Sequence, residues 1–145
     1  MSYKAYSFSD VSAVIKHPSF GQIIATGEGI GSITSEMSTD RTVHDLAADG
    51  TVMISKVKGR NGTVSLAIQQ TSSLHQWLTK LYNYLETAST SKWAETSIVI
   101  RTPSMNEIET CTGVSFGKQP SNPRQAQGQN ITWALMAADI QRDIS

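Results

Sequence analysis

The residues whose types could carry chemistry are few, and their surroundings decide what they do. Gly113, Ser115 and Gly117 stand at the spacing of a G-x-S-x-G motif, in which a sharp strand-to-helix turn exposes a serine hydroxyl for nucleophilic attack. After Gly117 come Pro120, Pro123 and several amides, which read as a loop rather than as that helix. A chain of 145 residues with so little alternation of strand and helix patterns is also too short for a hydrolase core, so Ser115 is expected at a strand end. Gly27, Gly29 and Gly31 come after Ile23, Ile24 and Ala25 as in a dinucleotide loop, but such a loop needs a helix N-terminus facing the pyrophosphate. The residues after Gly31 alternate like a strand, so these glycines are read as a hairpin turn or bulge.

His17, His44 and His75 share no spacing that would build a metal site or a catalytic dyad, and all three are expected at the surface. Cys111 lies between Thr110 and Thr112 with no base near in sequence, and is read as a small buried or half-buried residue. Trp77, Trp93 and Trp133 could stack on bases or sugars. Yet Trp77 belongs to the apolar stripe of a helix, and Trp133 alternates with Ile131 and Leu135, so core packing explains both. No catalytic, cofactor-binding or metal-ligating set emerges, and the chain is expected to be no enzyme and to need no cofactor.

Composition narrows the partners. Lys and Arg total 12 and so do Asp and Glu, which leaves no basic field to hold a nucleic acid or an anionic membrane. The charged fraction is 17%, below the roughly 25% of ordinary domains, while Ser, Thr, Asn and Gln abound. Much of the surface is therefore neutral and polar. A lone cysteine suits a reducing compartment at synthesis. The N-terminal residues lack the apolar run of a signal peptide, and no stretch reaches the roughly 18 apolar residues of a membrane span. The expectation is a soluble protein made in the cytoplasm.

Apolar alternation predicts strands over residues 5–16, 22–26 and 30–38. Two further runs, 52–57 and 63–70, flank Gly59, Arg60, Asn61 and Gly62, and an Asn-Gly pair between alternating runs predicts a hairpin. In its second strand Val64, Leu66 and Ile68 share one face, while Thr63, Ser65, Ala67 and Gln69 share the other. The period changes over 73–86, where Leu74, Trp77, Leu78, Leu81 and Leu85 form a helical stripe. Ser73 and Gln76 have the spacing of a capping box at its start. Strands are expected again at 96–102, 108–116 and 129–137, with residues 118–128 as a loop. Residues 38–50 are charged in both signs and weakly patterned, and read as an extended loop or long hairpin arm. The sum is one domain over 1–145, mainly β in an α+β layout: antiparallel strands with one packed helix.

Three stretches carry a resemblance. Residues 6–11 (Tyr-Ser-Phe-Ser-Asp-Val), residues 48–55 before Gly62-Thr-Val64, and Gln70-Thr-Ser72 with Leu81-Tyr-Asn83 resemble, in order and spacing, the short tail tube proteins of contractile-tailed bacteriophages. The resemblance implies a β-sandwich or half-barrel subunit that joins hexameric rings, completes a larger β-barrel there, and stacks into a tube conducting DNA and the tape measure protein. It implies a place in the virion tail. Its partners would be further copies, the sheath, and the baseplate, initiator and terminator proteins, and DNA would pass without specific binding.

On that footing Ser55, Thr63, Ser65 and Gln69 are expected to face the lumen, and Asp40, Arg41, His44, Asp45 and Asp49 to lie on a ring-stacking arm. Lys56, Lys58 and Arg60 would pair with acidic residues of a neighbouring subunit, and Lys80, Asn83 and Glu86 would mark the helix's outer surface. The alternatives are the inner tube of a phage-like bacteriocin or secretion system, a small-ligand β-barrel, and a hydrolase built on Ser115.

Overall fold

A computed structural model describes residues 3, 5–26 and 29–144. The described residues form β1 (Ser12–His17), β2 (Gly21–Thr26), β3 (Ile30–Met37), β4 (Thr42–Leu46), β5 (Val52–Lys56), β6 (Gly62–Gln69), α1 (Ser73–Thr87), β7 (Thr96–Thr102), β8 (Glu107–Phe116), β9 (Asn130–Ala137) and β10 (Asp139–Ile144). Short 3-10 turns lie at Phe8–Asp10, Thr90–Lys92 and Pro103–Met105. All strand pairs are antiparallel.

Eight strands make two sheets that share β8. The first sheet runs β2-β1-β7-β8-β10, and the second runs β3-β6-β9 and then the end of β8. β8 pairs with β10 as far as Thr112 and with β7, across a register shift, as far as Val114, and its end at Ser115 and Phe116 pairs with β9. The turn between the two halves falls at Gly113, whose φ of 63° suits glycine. Opposite it, the Ala138 amide donates to the carbonyls of Thr112 and Gly113, at 3.0 and 3.2 Å. A Cβ on Gly113 would sit 2.7 Å from the Ala138 Cβ, so a side chain cannot fit at this corner. β8 and the β9–β10 stretch therefore bend together from one sheet into the other.

Alternation sends Ala13 and Ile15 of β1, Val64, Leu66 and Ile68 of β6, and Ile131, Trp133 and Leu135 of β9 into the space between the sheets. The helix closes one side of that space with Leu74, Leu78, Leu81 and Leu85, all buried. Each such side chain contributes roughly 1.5–3 kcal/mol on leaving water. Trp77 packs edge-on against Phe20 at 5.4 Å, and Phe116 bridges Tyr82 and Trp133. A mainly antiparallel β-sandwich with one packed helix is thus the architecture, as expected.

Several local expectations fail for definite reasons. The helix N-cap is Ser72, not Ser73, because the Ser72 hydroxyl accepts from the His75 amide at 3.2 Å. The first strand begins only at Ser12, since Ser7 caps a 3-10 turn in the stretch before it. β10 was not expected at all, as its polar sequence has only Ile140 buried. His17 is 1% exposed rather than at the surface. Its Nδ1 accepts from the Ser19 amide at 3.1 Å, which leaves Nε2–H to donate to the Lys92 carbonyl at 2.9 Å.

The hairpin expected at residues 59–62 does not form. β5 pairs with β4, and β6 pairs with β3 and β9. The turn falls instead at Asp49 and Gly50, where Asp49 Oδ1 accepts from the Thr51 amide at 3.0 Å. Gly62 has another reason to be glycine: a Cβ there would lie 2.1 Å from the Glu36 carbonyl oxygen and 2.6 Å from Ile140 Cδ1. β3 and β6 stay paired down to Met37 and Gly62, and the Ser38 amide then donates to the Asn61 carbonyl at 3.0 Å. The chain beyond projects as the β4–β5 ribbon, so the arm runs from residue 38 to 61 and not only to 50.

Candidate functional site

The outer face of the second sheet is built from the residues that alternate with the core. In register across β3, β6, β9 and β8, one row holds Glu36, Thr63, Met136 and Ser115, and the next holds Thr34, Ser65 and Ala134. Ser32, Ala67 and Thr132 come next, then Gln69 and Asn130. Small hydroxyls, methyls and amides make up this face, with Glu36 the one charge and Met136 the one large apolar group in these rows. Thr63, Ser65 and Gln69 are brought together here. Ser55 is not, because it lies on β5 opposite Val43, in the arm. Ser32, Thr34, Asn130 and Thr132 were missed, although Asn130 and Thr132 alternate with apolar Ile131 and Trp133 at the start of β9.

The arm is a two-stranded ribbon whose every strand residue is exposed. The pairs His44–Ile54 and Leu46–Val52 share one face, and Val43–Ser55 and Asp45–Met53 share the other. Leu46 is 71% exposed and Ile54 67%, so the first face is apolar and uncovered. Arg41 fixes the base by donating from Nε to the Val57 carbonyl at 2.7 Å, and Thr39 donates to Asn61 Oδ1 at 2.8 Å. Hydrogen bonds from Thr51 hold the Asp49 carboxyl below its ordinary value. Asp40, His44, Asp45 and Asp49 are exposed on or beside this ribbon, and none forms an ion pair among the described residues.

Lys56 and Lys58 are likewise exposed and unpaired among the described residues. Arg60 is not free for a neighbour, since its Nε lies 2.7 Å from Asp139 of the same chain. The cause is position: Arg60 is where the arm rejoins the sheet, and its carbonyl accepts from the Ile140 amide at 2.9 Å, bringing β10 alongside. Lys80, Asn83 and Glu86 are exposed on α1.

One charged cluster is partly buried. Glu109, 6% exposed, accepts from the Ser35 hydroxyl at 2.7 Å and from Arg142 Nη2 at 3.2 Å, while Arg142 Nε reaches Glu107 at 3.1 Å. This ties arm-bearing β3 to β8 and β10. Ser115 sits in the ladder opposite Met136 and not on a strand-to-helix turn, so the nucleophile-elbow geometry is not there. Gly31 marks a register shift in β3 against β6, which is the bulge expected, and Gly27 lies outside the described residues. Burial pushes the Cys111 thiol up to about 11. Among the described residues no group of three or more His, Cys, Asp or Glu could hold a metal ion, and no helix is long and apolar enough to cross a membrane.

A neutral sheet face, a projecting ribbon and a filled interior describe a surface for assembly, and the sequence profile of the Bacteriophage PhiTE tail tube protein family matches residues 3–145. The chain belongs to this family. Tail tube subunits are structural proteins, and that is the role of this one. Its fold is similar to a chain in the sheath–tube complex of an extracellular contractile injection system (PVC) in the extended state, with a TM-score of 0.63 and 10% identity over 97% of this chain and 93% of that one. It is similar also to a chain of the anti-feeding prophage tube-terminating cap, at TM-score 0.60 and 9% identity over 100% and 94%. A third likeness is to a chain of the anti-feeding prophage baseplate, at TM-score 0.58 and 13% identity over 99% and 98%. No curated protein sequence matches the chain.

Proposed function

We propose that the whole chain acts as one tube domain, that copies join in hexameric rings, and that the outer face of the second sheet lines the lumen. The observation that carries this is the composition of that face. Small hydroxyls and amides offer no cations to phosphates, so passing DNA would release no counterions and would not be held. Among the described residues edge strand β3 pairs only with β6, and pairing its free backbone groups with the next copy would close the sheets into one barrel without exposed edges. The arm would reach the next ring, and sheath, baseplate and terminator proteins would meet the assembled tube. The tape measure protein and DNA would occupy its lumen, within a virion tail whose proteins are made in the host cytoplasm. The chain would do no chemistry of its own.

The similar chains come from contractile injection systems and an anti-feeding prophage, which favours a second reading: the same tube in a particle that injects something other than a genome. Nucleic acid content of purified particles separates the two. For the tube itself, electron microscopy of the purified protein at high concentration should show rings and hollow rods. A variant with residues 42–56 replaced by a short Gly-Ser turn should give rings that do not stack. A monodisperse wild-type monomer under all conditions would overturn the reading, and rods of normal length from the variant would overturn the arm's role.

A further inference from the structure

β3 carries both the arm and a free edge, yet little holds it in place. Of its eight residues only Ile30 is buried, and among the described residues its one ladder partner is β6. The Ser38 amide donates to the Asn61 carbonyl, so alternation makes Glu36–Thr63 and Thr34–Ser65 the hydrogen-bonded pairs of this ladder. The backbone groups of Ile33, Ser35 and Met37 therefore point to the free edge. Ser35 is the middle one, and it stands opposite fully buried Val64, so its side chain is on the core face. There its hydroxyl lies 2.7 Å from both carboxylate oxygens of Glu109, across on β8. Arg142, opposite Glu109 on β10, reaches the same carboxylate at 3.2 Å and Glu107 at 3.1 Å. Packing does not fix β3 at this point. A cleft of about 280 Å³ opens on one side of the bridge, towards Phe8, Ile33 and Met105, and one of about 220 Å³ on the other, towards Met37, Arg41 and Ile140. Ser35, Glu109 and Arg142 line both.

We propose that the Ser35–Glu109–Arg142 bridge is a positioning device for assembly: it sets the tilt of β3 against the first sheet, and so presents the free edge and the arm in one fixed pose. This rests on the tube reading and names residues that serve it without touching the next copy. Leverage makes the tilt matter. From Ser35 to Leu46 the chain can reach up to about 36 Å. A tilt of about 5° in β3 would then move the ribbon by about 3 Å, more than half the spacing of about 4.8 Å between neighbouring strands. Apolar contact has no direction and cannot hold such an angle, whereas a hydrogen bond to a buried carboxylate can. Stability is a poor reason for the bridge, because apolar groups of similar size in place of a buried charged pair often leave a fold as stable or more so.

The test separates stability from assembly in the full chain. Ser35→Ala combined with Glu109→Leu removes the bridge and strands no buried charge, since Arg142 keeps Glu107. Its urea midpoint should stay within about 0.25 M of wild type or rise, while the concentration needed for assembly should increase about tenfold or more. Tubes formed by this variant at the wild-type concentration would overturn the proposal. If the double variant is less stable or unfolded, Ser35→Ala alone decides. In dilute, unassembled protein it should speed amide hydrogen exchange at Thr34, Glu36 and Ser38 about tenfold and leave the β9 amides unchanged. Unchanged exchange at those three positions, or equal acceleration in β9, would overturn the proposal. Ser35→Thr keeps the hydroxyl and should give wild-type exchange and assembly; the behaviour of Ser35→Ala from this variant would also overturn it. Exchange is read without tubes, so a β3 response in a chain whose wild type never assembles would uphold the tie and count against the tube alone.

Discussion

Replacing Gly62 with alanine should weaken the root of the arm by an amount that the geometry sets. The new Cβ would lie 2.1 Å from the Glu36 carbonyl oxygen, and real Cβ atoms essentially never come closer than 3.0 Å, so β3 and β6 must part by at least about 0.9 Å. The obstacle is backbone, and the second obstacle, Ile140 Cδ1 at 2.6 Å, belongs to a packed side chain. Overpacking of this kind costs about 1–3 kcal/mol. Stretching the Ser38–Asn61 hydrogen bond, now 3.0 Å, costs about 1 kcal/mol more. Restricting the unfolded chain gives back about 0.4–1 kcal/mol, which leaves a loss of about 1–3.6 kcal/mol. With a urea dependence of about 2 kcal/mol per molar, the unfolding midpoint should fall by about 0.5–1.8 M. The measurement is urea unfolding of dilute protein below its assembly concentration, tracked by tryptophan fluorescence. Gly128→Ala is the control, since a Cβ there meets nothing within 4 Å. A Gly62→Ala midpoint within about 0.25 M of wild type, near 0.5 kcal/mol, would refute the account of why this position is glycine.

Two further outcomes concern groups that burial perturbs. Burial lowers the pKa of His75, and its Nδ1 accepts from Trp133 Nε1–H at 3.1 Å, so the folded chain prefers neutral imidazole. Stability from this site should be complete above about pH 6.5, the unfolded value, and decline as pH falls from there through the lower folded value. Urea midpoints at several pH values check this, and His75→Gln should flatten the decline. The Cys111 thiol, pushed up to about 11 and buried, should resist a thiol reagent at pH 8 in the folded protein and react at once in denaturant. Rapid labelling of native protein would show that the strand around it opens.

How much of the fold could be read from residue order depends on what imprints each pattern. The α1 stripe was legible because Leu74, Leu78, Leu81 and Leu85 all face one core. β6 and β9 were legible because each has one buried and one open face. The arm's ribbon was legible only in part: a strand over 52–57 and a long arm before it were expected, but the pairing of Thr42–Leu46 with Val52–Lys56 was not, because both are exposed on both faces and no burial fixes their partner. Asn61-Gly62 misled for a related reason, since a glycine needed for close strand contact looks the same in sequence as one needed for a turn. That error carried Ser55 onto the wrong surface. β10 was hidden because its partner is β8 on the far side of a corner, and one buried isoleucine among polar residues sets no alternation. His17 could not be placed because the Ser19 amide and the Lys92 carbonyl that hold it are backbone groups, which leave no trace in residue type.

The corner at Gly113 and Ala138 has a mechanical meaning. Because β8 belongs to both sheets, and β9 continues into β10 beside it, neither sheet can slide past the other without breaking ladder hydrogen bonds on two strands at once. Load applied to one sheet passes to the other through continuous chain as well as through side-chain contact. A pipe made of these units would turn and advance as a stiff body when gripped from outside, keeping its bore open under thrust.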